Sequence, residues 1–221
     1  MVQEAAGNAE QSGMEPTTGP ANEVGVPLAG IVFEAGDPIN QLLLRVAEAL
    51  AADGVSVAGV VQARVNDPAT GRSNLVLRGL RDGWELPILE ERGQQAKGCR
   101  LDSRAITDVA GRLERELAPG AGFLIVNRFG RAEAEGQGLR HLLARAASEG
   151  IPVIAGVRQD YAAAWAAFHG GLGVALPPDP ERVLAWCRRA AAGAGAPERQ
   201  RHGMSAPAFG SDQAPGGRRA P

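Results

Sequence analysis

GFLIVNRFGRAEAEGQGLRHLLARAASEGIPVIAGV, residues 122–157, decides the fold. A short apolar run, Phe123-Leu-Ile-Val126, gives way to Asn127-Arg-Phe-Gly130, which reads as a polar loop. Helical spacing then carries to about Glu149, Gly150 stops it, and Ile151-Pro-Val-Ile154 opens a second apolar run. Strand, crossover helix and strand make a βαβ unit, whose two strands lie parallel in a buried sheet. Ligands of open α/β sheets gather beyond the carboxyl ends of the strands. Asn127, Arg128 and Arg131 fall at such an end.

Upstream, the same alternation repeats. Leu28-Ala-Gly-Ile-Val-Phe33 reads as a buried strand, and residues 39–50 place Leu43, Val46, Ala47 and Leu50 on one helical face. Asp37 before Pro38 predicts a capping carboxylate with proline at the first helical position, and Gly54 ends the helix. A second strand spans residues 55–62. Residues 74–80 and 84–89 flank Asp82-Gly83, a hairpin signal, and Pro87 demotes the second arm to a sheet edge. Asp102 caps a helix over residues 103–117. Downstream come a short helix at 161–168, a last short strand at 172–176 and a helix capped by Asp179. The sum is an α/β domain of three layers, with a mostly parallel sheet and an inserted β-hairpin, over residues 27–192. Residues 1–26 and 193–221 hold few large apolar groups and are expected to be disordered tails.

Composition narrows the function. The 221 residues carry a net charge of −2, which gives no general pull toward nucleic acid. The two cysteines, Cys99 and Cys187, are far apart and fit a reducing cytoplasm rather than a disulfide framework or metal knuckle. No apolar run approaches the roughly 20 residues that span a bilayer. The start of the chain lacks the basic-then-apolar order of a secretory leader. The expectation is a cytoplasmic protein with no membrane or nucleic-acid partner and no cofactor. His141, His169 and His202 are not spaced for metal.

The loop after the first strand is where a phosphate-binding loop would sit. Such a loop needs glycines whose N–H groups wrap phosphates, a lysine for the outer phosphates and a hydroxyl residue for magnesium. Here it reads VFEAGDPINQL, residues 32–42, in which Gly36 is the one glycine. Pro38 falls where a glycine would be, Ile39 at the lysine and Asn40 at the hydroxyl residue. Proline donates no hydrogen bond, and Glu34 and Asp37 repel polyphosphate.

The order of elements resembles the small nucleoside-triphosphatases of the thermophile and cancer-related type, a branch of the P-loop fold. The matching phrases are VAEAL at 46–50, GVSVAG at 54–59 and LRGLRDG at 77–83. A closer likeness is to an uncharacterised bacterial family with the same plan and no working phosphate loop. It rests on CRLD at 99–102, NRFG at 127–130, EAEG at 133–136, GLR at 138–140 and IPV at 151–153. The resemblance implies a degenerate P-loop, and a protein whose gene often lies beside molybdate-uptake genes. Active relatives place Asp-Glu for magnesium where this chain has Asn127-Arg128. With Ile39 and Asn127 at the two key positions, the reading favours a binding or regulatory module for a nucleotide or small oxyanion over an NTP hydrolase.

The candidate ligand-binding residues are Gly36, Asn40, Cys99, Arg100, Asp102, Asn127, Arg128, Arg131, Glu133 and Glu135. The arginines suit bidentate contact with an oxyanion. Glu133 and Glu135 either hold those arginines in a pocket or merely balance the helix dipole. Cys99, ahead of a helix start, is either a reactive thiol or packed, and Arg158 with Asp160 follows the second βαβ strand. Two alternatives stand beside the binding module. One is an enzyme acting on a phosphate-bearing substrate through Cys99, Arg100, Asn127 and Arg128. The other is an interaction protein without a small ligand, pairing with a protein partner or with itself.

Overall fold

A computed structural model describes residues 27–66, 71, 73–89, 102–118 and 120–194. Its seven-stranded sheet has the order β4-β3-β2-β5-β6-β1-β7, with β1 Leu28–Phe33, β2 Val57–Asn66, β3 Ser73–Gly79, β4 Glu85–Pro87, β5 Phe123–Phe129, β6 Val153–Arg158 and β7 Gly173–Leu176. Five strands run parallel, from β2 through β5, β6 and β1 to β7. The hairpin of β3 and β4 adds an antiparallel flank, and the arm bearing Pro87 forms the sheet edge.

The central strands are apolar almost without interruption because both faces are covered. On one face α1 (Ile39–Ala52) and α6 (Pro180–Ala194) pack through Leu43, Val46, Leu50, Val183 and Cys187 onto Ile31, Ile125 and Ile154. Burial raises the Cys187 thiol to about 12, so it stays a neutral core group. On the other face lie α2 (Ser103–Glu116), α4 (Arg140–Ser148) and α5 (Ala162–His169). They bury Val109, Leu113, Leu142, Leu143 and Trp165 against Leu124, Val126 and Val157. Trp165 lies edge-on to Phe129, with ring centroids 5.2 Å apart.

Four local expectations change. The polar segment 127–130 is largely strand: β5 continues to Phe129, which is fully buried. The strand extends because β6 runs on beside it, pairing Asn127 with Gly156 and Phe129 with Val157. The helix expected up to Glu149 divides into a single turn, α3 (Arg131–Ala134), and α4, with Gly136 and Gly138 at positive φ between them. Strand β2 runs to Asn66 rather than 62, since β3 supplies an antiparallel partner along that whole length. Asp37 does not cap α1; its Oδ2 accepts the Glu34 amide at 2.8 Å and closes the turn. The caps at Asp102 and Asp179 form as expected, each carboxylate accepting an amide of its helix's first turn at 2.8 Å. Of the stretches read as tails, 1–26 and 193–221, residues 193 and 194 belong to α6, and 1–26 and 195–221 lie outside the described residues. Among the described residues, no helix is long and apolar enough to cross a membrane.

Candidate functional site

At the carboxyl edge of the parallel strands, the turn after β1 and the ends of β2, β5 and β6 surround a cavity of about 430 Å³. That volume suits a small ligand. Its floor is the residue 34–38 turn. The Ile39 amide donates to the Asp37 carbonyl at 2.8 Å, so the turn folds on itself, and Gly36 takes φ +110° with open space where a Cβ would be. The cationic side comes from three strands: Arg64 from the overhang of β2, Arg128 from β5 and Arg158 from β6.

Arg128 is the best-built of the three. Its Nη2 donates to Gln62 Oε1 at 3.0 Å, and its guanidinium carbon lies 5.3 Å from the centre of the Phe33 ring. Its Nε is buried and has no partner. Desolvation, and after it the nearby charge of Arg158, work against the Arg128 cation and lower its pKa. Arg158 is itself paired with Asp160. Among the described residues no carboxylate pairs with Arg64 or Arg128. Glu34 and Asp37 of the turn also line the cavity and Asp160 offsets Arg158, so the unmet positive charge is local to Arg128 rather than spread over the cavity.

Asn127 ties this edge together from below. It is 2% exposed, and its Nδ2 donates to Asn40 Oδ1 across 87 residues of sequence, joining β5 to the start of α1. The Asn127 Oδ1 is buried without a partner. An amide pair thus links the end of β5 to the first turn of α1 beside the cavity. Among the described residues, no three His, Cys, Asp or Glu side chains gather as a metal-binding group.

Of the residues expected from the sequence, Gly36, Asn40, Asn127 and Arg128 meet at this edge. Arg131 does not line the cavity; it is exposed and paired with Glu135 at 2.7 Å one helical turn away, a contact that raises its pKa. Glu133 is buried but faces the backbone. One oxygen accepts the Gly130 amide and the other the Leu139 amide, each at 3.0 Å. It fixes the loop between α3 and α4 and holds no arginine side chain in the cavity; Arg140 reaches only its carbonyl. Asp102 serves as the α2 cap, with its own amide on the Ile88 carbonyl. Cys99 and Arg100 lie outside the described residues. Gln62 and Arg64 were not expected. The signal for them is the alternation Gln62, Arg64, Asn66, which sets polar side chains on one side of β2 beyond its apolar half.

Known proteins resemble this chain in sequence and in fold. The chain is 30% identical over 161 residues to the Molybdenum import ATP-binding protein ModC 2 of Bradyrhizobium diazoefficiens. That match takes in 73% of this chain and only 18% of the length of that protein. The solution structure of a human cancer-related nucleoside triphosphatase superposes with a TM-score of 0.54 at 15% identity, covering 76% of this chain and 98% of the other. At that identity the likeness concerns the fold, which is that of the P-loop nucleoside triphosphatases. The family model described as "Protein of unknown function (DUF2478)" matches residues 28–186, and the chain belongs to that family.

Proposed function

We propose that this protein is a non-hydrolysing binding module, taking a small oxyanion or the phosphate of a nucleotide in the cavity between the β1 turn and Arg128. The observation that carries the reading is the uncompensated guanidinium of Arg128, half-buried, with a free Nε and with Arg158 close enough to disfavour its charge. An anion seated between the two arginines would relieve the repulsion between them. Hydrolysis has little support. Ile39 offers no charge to an outer phosphate, and the Asn127–Asn40 pair offers amides where magnesium requires carboxylate and hydroxyl. Similarity to part of a protein named for molybdenum import favours molybdate among the oxyanions, in a binding or regulatory role beside such an ATP-binding protein.

A thermal-denaturation series on the full chain tests this. Molybdate, tungstate, phosphate and sulfate are compared with ATP, the last with and without magnesium. At about 100 times its dissociation constant, a ligand of the native state adds about 2.7 kcal/mol, or a rise of roughly 5–10 °C for a domain of this size. The expected result is such a rise with at least one oxyanion, independent of magnesium, and no phosphate release from ATP. A rise confined to magnesium–ATP, with turnover, would overturn the reading.

A further inference from the structure

At the opposite edge of the sheet lies a second hollow of about 260 Å³ between the β3–β4 turn and the end of α2. Trp84 forms its aromatic wall and is held rigidly: its Nε1 donates to Glu116 Oε1 at 3.0 Å, and its ring lies on Gly79, where a Cβ would come within 2.3 Å. The other Glu116 oxygen accepts the Gly59 amide at 3.4 Å, so this buried carboxylate is taken up internally. Three arginines flank the hollow. Arg112 lies over the Trp84 ring at 5.1 Å, Arg81 is anchored on Ser56 Oγ at 2.9 Å, and Arg115 lines the rim. Against them the hollow sets Asp82 at the rim and Glu116 within, which leaves an excess of one positive charge. Among the described residues no acid pairs with any of the three arginines. A fixed tryptophan beside arginines is the composition of a protein-binding hot spot, and the excess positive charge specifies an acidic occupant.

We propose that this hollow docks the chain's own acidic N-terminal segment, residues 1–26. That segment contains Glu4, Glu10, Glu15 and Glu23 and no Lys or Arg. The segment after 194 contains Arg199, Arg201, Arg218 and Arg219 against Glu198 and Asp212, and its charge is unsuited. Position agrees with charge. The Pro27 carbonyl accepts the Val153 amide at 2.9 Å, so the segment joins the sheet at the amino edge of the parallel strands. Arg81 reaches Ser56, whose carbonyl accepts the Gly122 and Phe123 amides at that same edge. From β1 through β6, β5 and β2 to β3 are four strand spacings, or about 19 Å, a gap that about six extended residues cross. Glu15 and the glutamates before it have chain to spare. The docked segment would cover the edge remote from the oxyanion cavity, so the inference is independent of the reading above.

Indole N–H signals of the full chain distinguish its three tryptophans, Trp84, Trp165 and Trp186. Replacing Glu4, Glu10, Glu15 and Glu23 together by glutamine moves the Trp84 signal and leaves the Trp165 and Trp186 signals in place. Raising the ionic strength moves Trp84 in the same direction, because the contact is between exposed charges. An added poly-glutamate peptide binds the glutamine variant about threefold more tightly than the native chain, whose own segment competes at an effective concentration near millimolar. An unmoved Trp84 signal in the variant overturns the proposal. Equal affinity of the peptide for both chains also overturns it, and leaves the hollow to an acidic segment of another protein.

Discussion

An Arg128→Ala chain is expected to bind the oxyanion roughly 10- to 150-fold more weakly while melting within a few degrees of the parent. The affinity figure follows from hydrogen bonds to a charged group, worth about 1.5–3 kcal/mol. The small stability effect follows from what the residue does in the empty cavity. Among the described residues its one side-chain hydrogen bond is to Gln62, its Nε has no partner, and Arg158 opposes its charge. Removing it costs the contact with Phe33 and relieves a repulsion. Arg128→Lys keeps the charge and loses the planar fork, so its affinity falls between the parent and the alanine variant. Isothermal titration with the tightest oxyanion, alongside thermal melts of all three chains, reads both quantities. A large fall in melting temperature with unchanged affinity would make Arg128 a structural residue.

Gly59→Ala gives the largest loss of stability, about 3–5 kcal/mol. Gly59 sits in β2 at φ +142°, outside the range L-residues with a Cβ readily adopt. An added Cβ would stand 2.0 Å from the Ile125 carbonyl oxygen. The obstacle is backbone in the central pairing of β2 with β5, so no side-chain rotation clears it. The Gly59 carbonyl also accepts the Leu80 amide at 2.9 Å, and its amide donates to Glu116, so movement of this residue disturbs the hairpin and α2 together. Gly30 offers the comparison: its nearest obstacle, at 2.5 Å, is the Trp165 side chain rather than a backbone atom. Urea unfolding of Gly59→Ala and Gly30→Ala ranks the two. A Gly59→Ala chain within about 1 kcal/mol of the parent would mean that β2 and β5 separate more easily than this geometry allows.

The frame of the molecule is readable residue by residue where burial on both faces leaves an unbroken apolar run, as in Phe123–Val126 and Ile31–Phe33. Local chemistry is equally plain: Asp102 caps α2, and Pro87 lies on the edge strand. What escapes a linear reading depends on partners far away in the chain. Asn127 and Arg128 look like loop residues because they are polar. Asn40 lies 87 residues from one and Gln62 lies 66 from the other, and β6 runs on beside both to pair with Phe129. Glu133 looks like a counter-ion for the arginines, yet the Gly130 and Leu139 amides take both its oxygens. Arg64 enters the cavity only because β3 prolongs β2 past the parallel sheet. The absence of any lysine from residues 34–40, in contrast, is plain in the sequence itself.

Crystals of the full chain soaked in tungstate, with diffraction recorded at a tungsten absorption edge, locate an oxyanion without assumption. The expected result is one strong anomalous peak within hydrogen-bonding distance of Arg128 and Arg158, beside the turn at Gly36, in the absence of magnesium. Tungsten found only elsewhere on the molecule, with Arg128 still unpaired at a concentration that saturates binding in solution, would contradict an anion site at the carboxyl edge of the sheet.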